Sequence, residues 1–206
     1  MSIQQKVKEL REKTGAGVVE CARALEAAGG DVEAALKLLA EKAAARAQEK
    51  EGREVRHGLI HAYVHGDGRI GVLIEVRCES DFLSRSEQFR NLVKELALQV
   101  AATAPTYVSA ADVPAEEIER VREEAKAWAA SQGKPEQVVK AIADGKVRQY
   151  LTKACLLEQE YVRDPKVRVA ELVSSLAASS GEKIEVAAFT RYELPAPPVN
   201  PHAGAL

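Results

Sequence analysis

Aromatic side chains are scarce in this chain: one Trp, three Phe and five Tyr among 206 residues, with a single Met. A core must therefore be built mostly from Val, Leu, Ile and Ala. Cysteine is equally thin. Cys21, Cys78 and Cys155 are odd in number and far apart, with no C-x-x-C pair. That excludes a disulfide framework and fits reduced core thiols of a cytoplasmic protein. Long apolar runs are missing too. No stretch approaches the roughly 18 residues a membrane helix needs, and the first twenty residues alternate charge with apolar side chains, unlike a signal peptide. An excess of one charge is also lacking: the net charge of −2 argues against broad nucleic-acid binding by the whole chain.

What is present is an ordinary globular balance, 46% hydrophobic and 29% charged, in a length that suits one domain plus a small one. The clearest pattern lies at residues 70–83. Ile70, Val72, Ile74, Val76 and Cys78 alternate with Gly71, Leu73, Glu75, Arg77 and Glu79, the period of a half-buried antiparallel strand. The run continues as Ser80-Asp81-Phe82-Leu83. Ser84 and Glu87 have capping-box spacing, which predicts a helix opening at Ser84. An acid and an aromatic delivered together at a strand-to-helix corner, with no phosphate or metal motif nearby, predict a protruding protein-contact tip.

Upstream, residues 2–42 read as three short helices with apolar stripes Ile3-Val7-Leu10, Val18-Ala22-Leu25 and Val32-Leu36-Leu39. Thr14-Gly15-Ala16-Gly17 separates the first two; Gly29-Gly30 ends the second and Asp31 caps the third. Residues 43–56, rich in Ala, Lys, Arg, Glu and Gln, read as a charged helical linker. Leu59–Val64 reads as a strand joined through His65-Gly66-Asp67-Gly68-Arg69 to the strand described above. Downstream, helices follow with stripes Phe89-Leu92-Val93-Leu96-Val100, Ile118-Val121-Ala125-Trp128 and Val169-Leu172-Val173-Leu176. A short helix starts at Pro135, with Val138, Val139 and Ile142 inward, and ends at Gly145; residues 147–156 form a further helix. Lys183–Glu193 reads as a third strand, with Ile184, Val186 and Ala188 alternating. Residues 195–206 are Pro- and Ala-rich and read as a flexible tail.

Several residue groups invite chemistry. Thr14-Gly15-Ala16-Gly17 lacks the preceding strand, Lys and Ser or Thr of a phosphate loop, so it reads as a turn. His57, His61 and His65 recur every four residues; on a helix they would form a zinc face, but on a strand neighbours lie about 13 Å apart. The Gly-Asp-Gly hairpin favours the strand. None of the cysteines has a partnering base, and buried thiols are usually inert packing. The residues therefore imply no cofactor, no metal and no bond chemistry. For Phe82, folding back onto the core as a helix-entry staple remains open beside the exposed-tip reading.

Three stretches resemble the signatures of one family. Leu10-Arg11-Glu12-Lys13-Thr14-Gly15-Ala16-Gly17-Val18-Val19-Glu20-Cys21 is similar to the N-terminal signature of bacterial translation elongation factor Ts. Gly71 to Leu83 resembles its core signature, and Gly133-Lys134-Pro135 with Asp144-Gly145-Lys146 a later helical segment. The resemblance runs from Ile3 to Leu194. It implies a guanine-nucleotide exchange factor, not an enzyme, whose partner is the GTPase domain of elongation factor Tu. It implies an N-terminal bundle like a ubiquitin-associated domain. The magnesium-side wedge maps to Ser80, Asp81, Phe82 and Leu83, and the N-terminal contacts to Arg11, Thr14, Gly15, Ala16, Gly17, Val18 and Val19. Departures are Ser80 for the usual Thr, Arg77 for Asn, Leu83 for Val and Val18-Val19 for Met-Met. Ala22 replaces a Lys, so that contact is not carried over.

The expected architecture is α+β: a three-helix docking domain (1–42), a charged linker (43–56), a core with a three-stranded antiparallel sheet and several helices (57–194), and a tail (195–206). A non-catalytic adaptor using the bundle is the alternative function; the Asp81-Phe82 tip argues against it. Longer members of the family carry two core subdomains and this chain one, so a homodimer is expected, with no direct nucleic acid and no membrane among its partners.

Overall fold

The structure, a computed structural model, describes residues 2–14 and 16–195, without the side chains of residues 12 and 43–51. Gly15 and residues 196–206, most of the expected tail, lie outside it.

Helices α1 (Ile3–Thr14), α2 (Val18–Ala27) and α3 (Val32–Glu51) open the chain. Leu10, Cys21, Ala24, Leu25, Ala35 and Leu39 form their shared core. The inward stripe of α2 is Cys21-Ala24-Leu25, one position round from the expected Val18-Ala22-Leu25; Val18 is exposed and so is Ala22. Ile3 is also exposed. Gly29 and Gly30 both take positive φ, and Asp31 Oδ1 accepts the N–H groups of Glu33 and Ala34 at 2.8 and 3.1 Å, the expected cap. The third helix continues without a break into the expected helical linker. It runs to Glu51, since nothing from Val32 to Gly52 breaks a helix.

Strands β1 (His57–His65) and β2 (Ile70–Cys78) form the expected hairpin. Beyond α4 (Asp81–Arg85) and α5 (Glu87–Thr103) come a 3₁₀ turn (Ala110–Asp112), α6 (Ala115–Ser131) and α7 (Glu136–Ala154). They are followed by the two-stranded ribbon β3 (Glu160–Tyr161) and β4 (Asp164–Arg168), then α8 (Val169–Ser180) and β5 (Ile184–Glu193). The main sheet has order β1-β2-β5 with both pairings antiparallel, and the class is α+β. Gly58 is required on β1, because a Cβ there would lie 2.3 Å from the Val76 carbonyl oxygen. Val72, Ile74, Val76 and Cys78 point inward from β2 onto Phe89, Val93, Leu96 and Val100 of α5. Pro105 follows α5, whose last turn closes on Ala104 in the left-handed conformation.

Other expectations are corrected. The β2–β5 register shifts at Glu75/Val76, so that Val76 pairs with Val186 and Ile74 with Phe189. This bulge inserts one residue and reverses the alternation beyond it: Ile184 and Val186 are buried, Ala188 is exposed, and Phe189 packs on the core. Gly145 does not end a helix. α7 passes through it for 19 residues, because the roughly 1 kcal/mol cost of a helical Gly is outweighed by Ala143 and Val147, buried on either side of it. Val138 is 41% exposed rather than inward. The β3–β4 ribbon has no sequence signal, being too short for periodicity. Gln99, fully buried on α5, holds it: Nε2 donates to Gln159 Oε1 and to the Glu160 carbonyl at 3.0 Å, and Oε1 accepts the Val162 N–H at 2.9 Å.

Candidate protein-contact site

The end of β2 and the start of α4 form a corner governed by two serines. Ser80 has extended backbone, and its hydroxyl oxygen accepts the Leu83 N–H at 3.1 Å, capping α4. Ser86 does the same for α5, accepting the Phe89 N–H at 3.2 Å. The capping residues are therefore Ser80 and Ser86, not Ser84, whose hydroxyl donates back to the Asp81 carbonyl at 2.8 Å. Two caps six residues apart leave room for a five-residue helix only. Asp81 and Phe82 occupy its first turn.

Helical geometry turns successive side chains by about 100°, and here the neighbours diverge. Leu83 is 6% exposed and belongs to the core, whereas Phe82 is 83% exposed. The staple reading of Phe82 does not hold. Leu83, expected among the contact residues, instead anchors the corner from inside. Asp81 pairs with Arg85 at 3.3 Å, and both side chains are mostly exposed; such a pair contributes at most about 1 kcal/mol, so the carboxylate is easily redirected to a partner. Behind the corner, the Cys78 thiol donates to the Ser80 carbonyl at 3.2 Å. Burial, with nearby Glu182, pushes that thiol up to about 11, and burial raises Cys155 too. Neither is a nucleophile near neutral pH.

A second exposed group surrounds the α1–α2 turn. Thr14 Oγ1 donates to the Leu10 carbonyl at 2.7 Å and accepts the Ala16 N–H at 3.3 Å, tying the turn to the end of α1. Gly17 is the N-cap of α2. Val18 and Val19 are 53% and 65% exposed and Arg11 is exposed. Gly15 lies outside the described residues.

His57, His61 and His65 lie along β1 opposite Cys78, Ile74 and Ile70, and His65 Nδ1 lies 2.9 Å from the Tyr63 hydroxyl. Among the described residues no group of three His, Cys, Asp or Glu side chains could hold a metal ion, and no helix is long and apolar enough to cross a membrane. A surface groove of about 510 Å³ lies between α6 and α7 beside Trp128 and Tyr150. One contributor to the corner had no signal in the sequence: Glu182, 102 residues from Ser80, accepts both its N–H and its hydroxyl.

An exposed aromatic thus stands on a capped corner, with the inert Cys78 thiol behind it. The family described as Elongation factor TS matches residues 3–196. This chain belongs to the elongation factor Ts family. The elongation factor Ts of Caldanaerobacter subterraneus subsp. tengcongensis is 48% identical over 189 residues, covering 92% of this chain and 94% of its own length. That of Thermotoga petrophila is 48% identical over 188 residues, 91% and 94% of the two chains. That of Carboxydothermus hydrogenoformans is 44% identical over 194 residues, 94% and 89%. Elongation factor Ts membership assigns the chain to translation elongation.

Proposed function

We propose that this chain is a guanine-nucleotide exchange factor that binds elongation factor Tu and promotes GDP release, without making or breaking a covalent bond. The observation that carries the reading is Phe82, 83% exposed on a corner built by a cap on one side and buried Leu83 on the other, in a chain of this family. Phe82 and Asp81 enter the GTPase domain on the magnesium side of the bound nucleotide. Arg11, Val18 and Val19 supply a second contact through the N-terminal helices.

Linkage sets the mechanism. The factor weakens GDP binding only as far as it prefers the nucleotide-free partner, and nucleotide expels the factor by the same coupling. Each tenfold acceleration of release lowers the barrier by about 1.4 kcal/mol. Burying a fully exposed Phe contributes about 1.5–3 kcal/mol, so Phe82 accounts for one or two factors of ten. The bundle and the rest of the core must supply what remains.

The chain is also proposed to act as a homodimer. Its outer sheet face carries Ile60, Val64, Leu73 and Tyr192, each at least half exposed, and a two-fold interface uses one such patch twice. No cysteine lies on β5, so no disulfide across that strand is required. The decisive experiment is stopped-flow release of labelled GDP from elongation factor Tu with and without this protein. Saturable acceleration is expected; an unchanged rate at micromolar factor removes the reading.

A further inference from the structure

Hydrogen bonding between β2 and β5 does not stop where the strands stop. The ladder reaches Cys78 and Ile184, and beyond it two carboxylates continue the connection. Glu182 Oε2 accepts the Ser80 N–H at 2.9 Å, while Oε1 accepts the Ser80 hydroxyl at 2.6 Å. In return the Glu79 carboxylate accepts the Lys183 N–H and lies 3.4 Å from Arg53. Hydrogen bonds to an ionised acceptor are roughly twice as strong as neutral ones.

The consequence runs along the chain. With its proton committed to Glu182, the Ser80 hydroxyl presents a lone pair to the Leu83 N–H at 3.1 Å. One carboxylate orients the cap, the cap sets the axis of α4, and α4 sets the direction of Phe82. Phe82 is too exposed for its own packing to aim it, so its aim depends on this clamp together with buried Leu83 on the same short helix.

We infer that Glu182 is a positioning residue for nucleotide exchange, holding the Ser80 corner so that Asp81 and Phe82 enter the partner pre-aligned. This rests on the reading of Phe82 as the contact that drives exchange. Displacing a working group by about 1 Å costs up to about a hundredfold in rate.

The test is a double-mutant cycle of Glu182→Ala and Phe82→Ala, read as the saturating rate of GDP release and the factor concentration at half-saturation, well below the melting temperature. Glu182→Ala is expected to lower the saturating rate about tenfold and to move half-saturation little, because the bundle contacts remain. In the Phe82→Ala background the same change is expected to have almost no further effect. Equal fold-losses in both backgrounds, or a normal rate for Glu182→Ala beside a slow Phe82→Ala, overturn the role of Glu182 and leave the wedge standing. A normal rate for Phe82→Ala removes the wedge and Glu182 with it. If Glu182→Ala does not fold, Glu182→Asp replaces it: the charge stays but the carboxylate retracts by one methylene, and a smaller loss, again absent without Phe82, is expected.

Discussion

Phe82 and Phe89 are seven residues apart and have opposite surroundings, 83% and 0% exposed. Phe82→Ala therefore removes little buried area and should change stability by less than about 0.5 kcal/mol, while slowing GDP release at least about tenfold. The same change at Phe89 should cost about 3–5 kcal/mol. Thermal melts and release rates on the same samples separate the two. A Phe82→Ala protein that melts far below wild type yet exchanges normally would contradict the tip. The thiols make a pH prediction. Burial raises Cys78 from 9.0 to about 11, so the folded state keeps a proton that the unfolded chain releases. That stabilisation is complete below pH 9 and is lost as pH rises from 9 to 11. Cys155, Tyr150 and Tyr161 are raised as well and act in the same direction. Urea midpoints should fall across that window, and less steeply for Cys78→Ala; a flat profile would show that the thiols feel no burial.

At the scale of elements, the junction of α4 and α5 depends on which serine caps which helix. Ser86→Ala removes the acceptor for the Phe89 N–H at the start of the helix that fills the core, and should cost about 1 kcal/mol. Ser84→Ala removes only a hydroxyl that donates within its own turn and should cost less than about 0.5 kcal/mol. Capping-box spacing alone favours Ser84, so denaturant midpoints of the two variants distinguish the assignments directly. Equal losses would mean that neither hydroxyl holds a helix end in solution.

For the molecule as a whole, the outer face of the sheet is the surface proposed to meet a second copy of the chain. Leu73 sits at its centre, on the middle strand, paired with Ala62 and Thr190, and is 50% exposed. A Lys there would be placed close to its own symmetry mate across a two-fold interface and desolvated with it. Wild-type protein should therefore scatter light as a dimer at micromolar concentration, and Leu73→Lys as a monomer with an unchanged melt at low concentration. A wild-type monomer, alone and with its partner, would remove the dimer.

The sequence by itself determined what local chemistry and periodicity can carry. Alternation at residues 70–78 defined β2 and its buried face, Gly29-Gly30-Asp31 marked a helix boundary, and the signature from Gly71 to Leu83 pointed to the family. These features are legible because each is set by residues a few positions apart. The tertiary structure decided what depends on distant partners. Whether Phe82 faces out or folds back turns on Leu83 filling the core and on Glu182 fixing Ser80 from 102 residues away. The inward stripe of α2 turns on what α1 and α3 present to it. The bulge opposite Glu75/Val76, which returns Phe189 to the core, turns on the pairing of β5 with a strand more than a hundred residues earlier. Packing over such separations selects among conformations that local propensity leaves nearly equal in free energy.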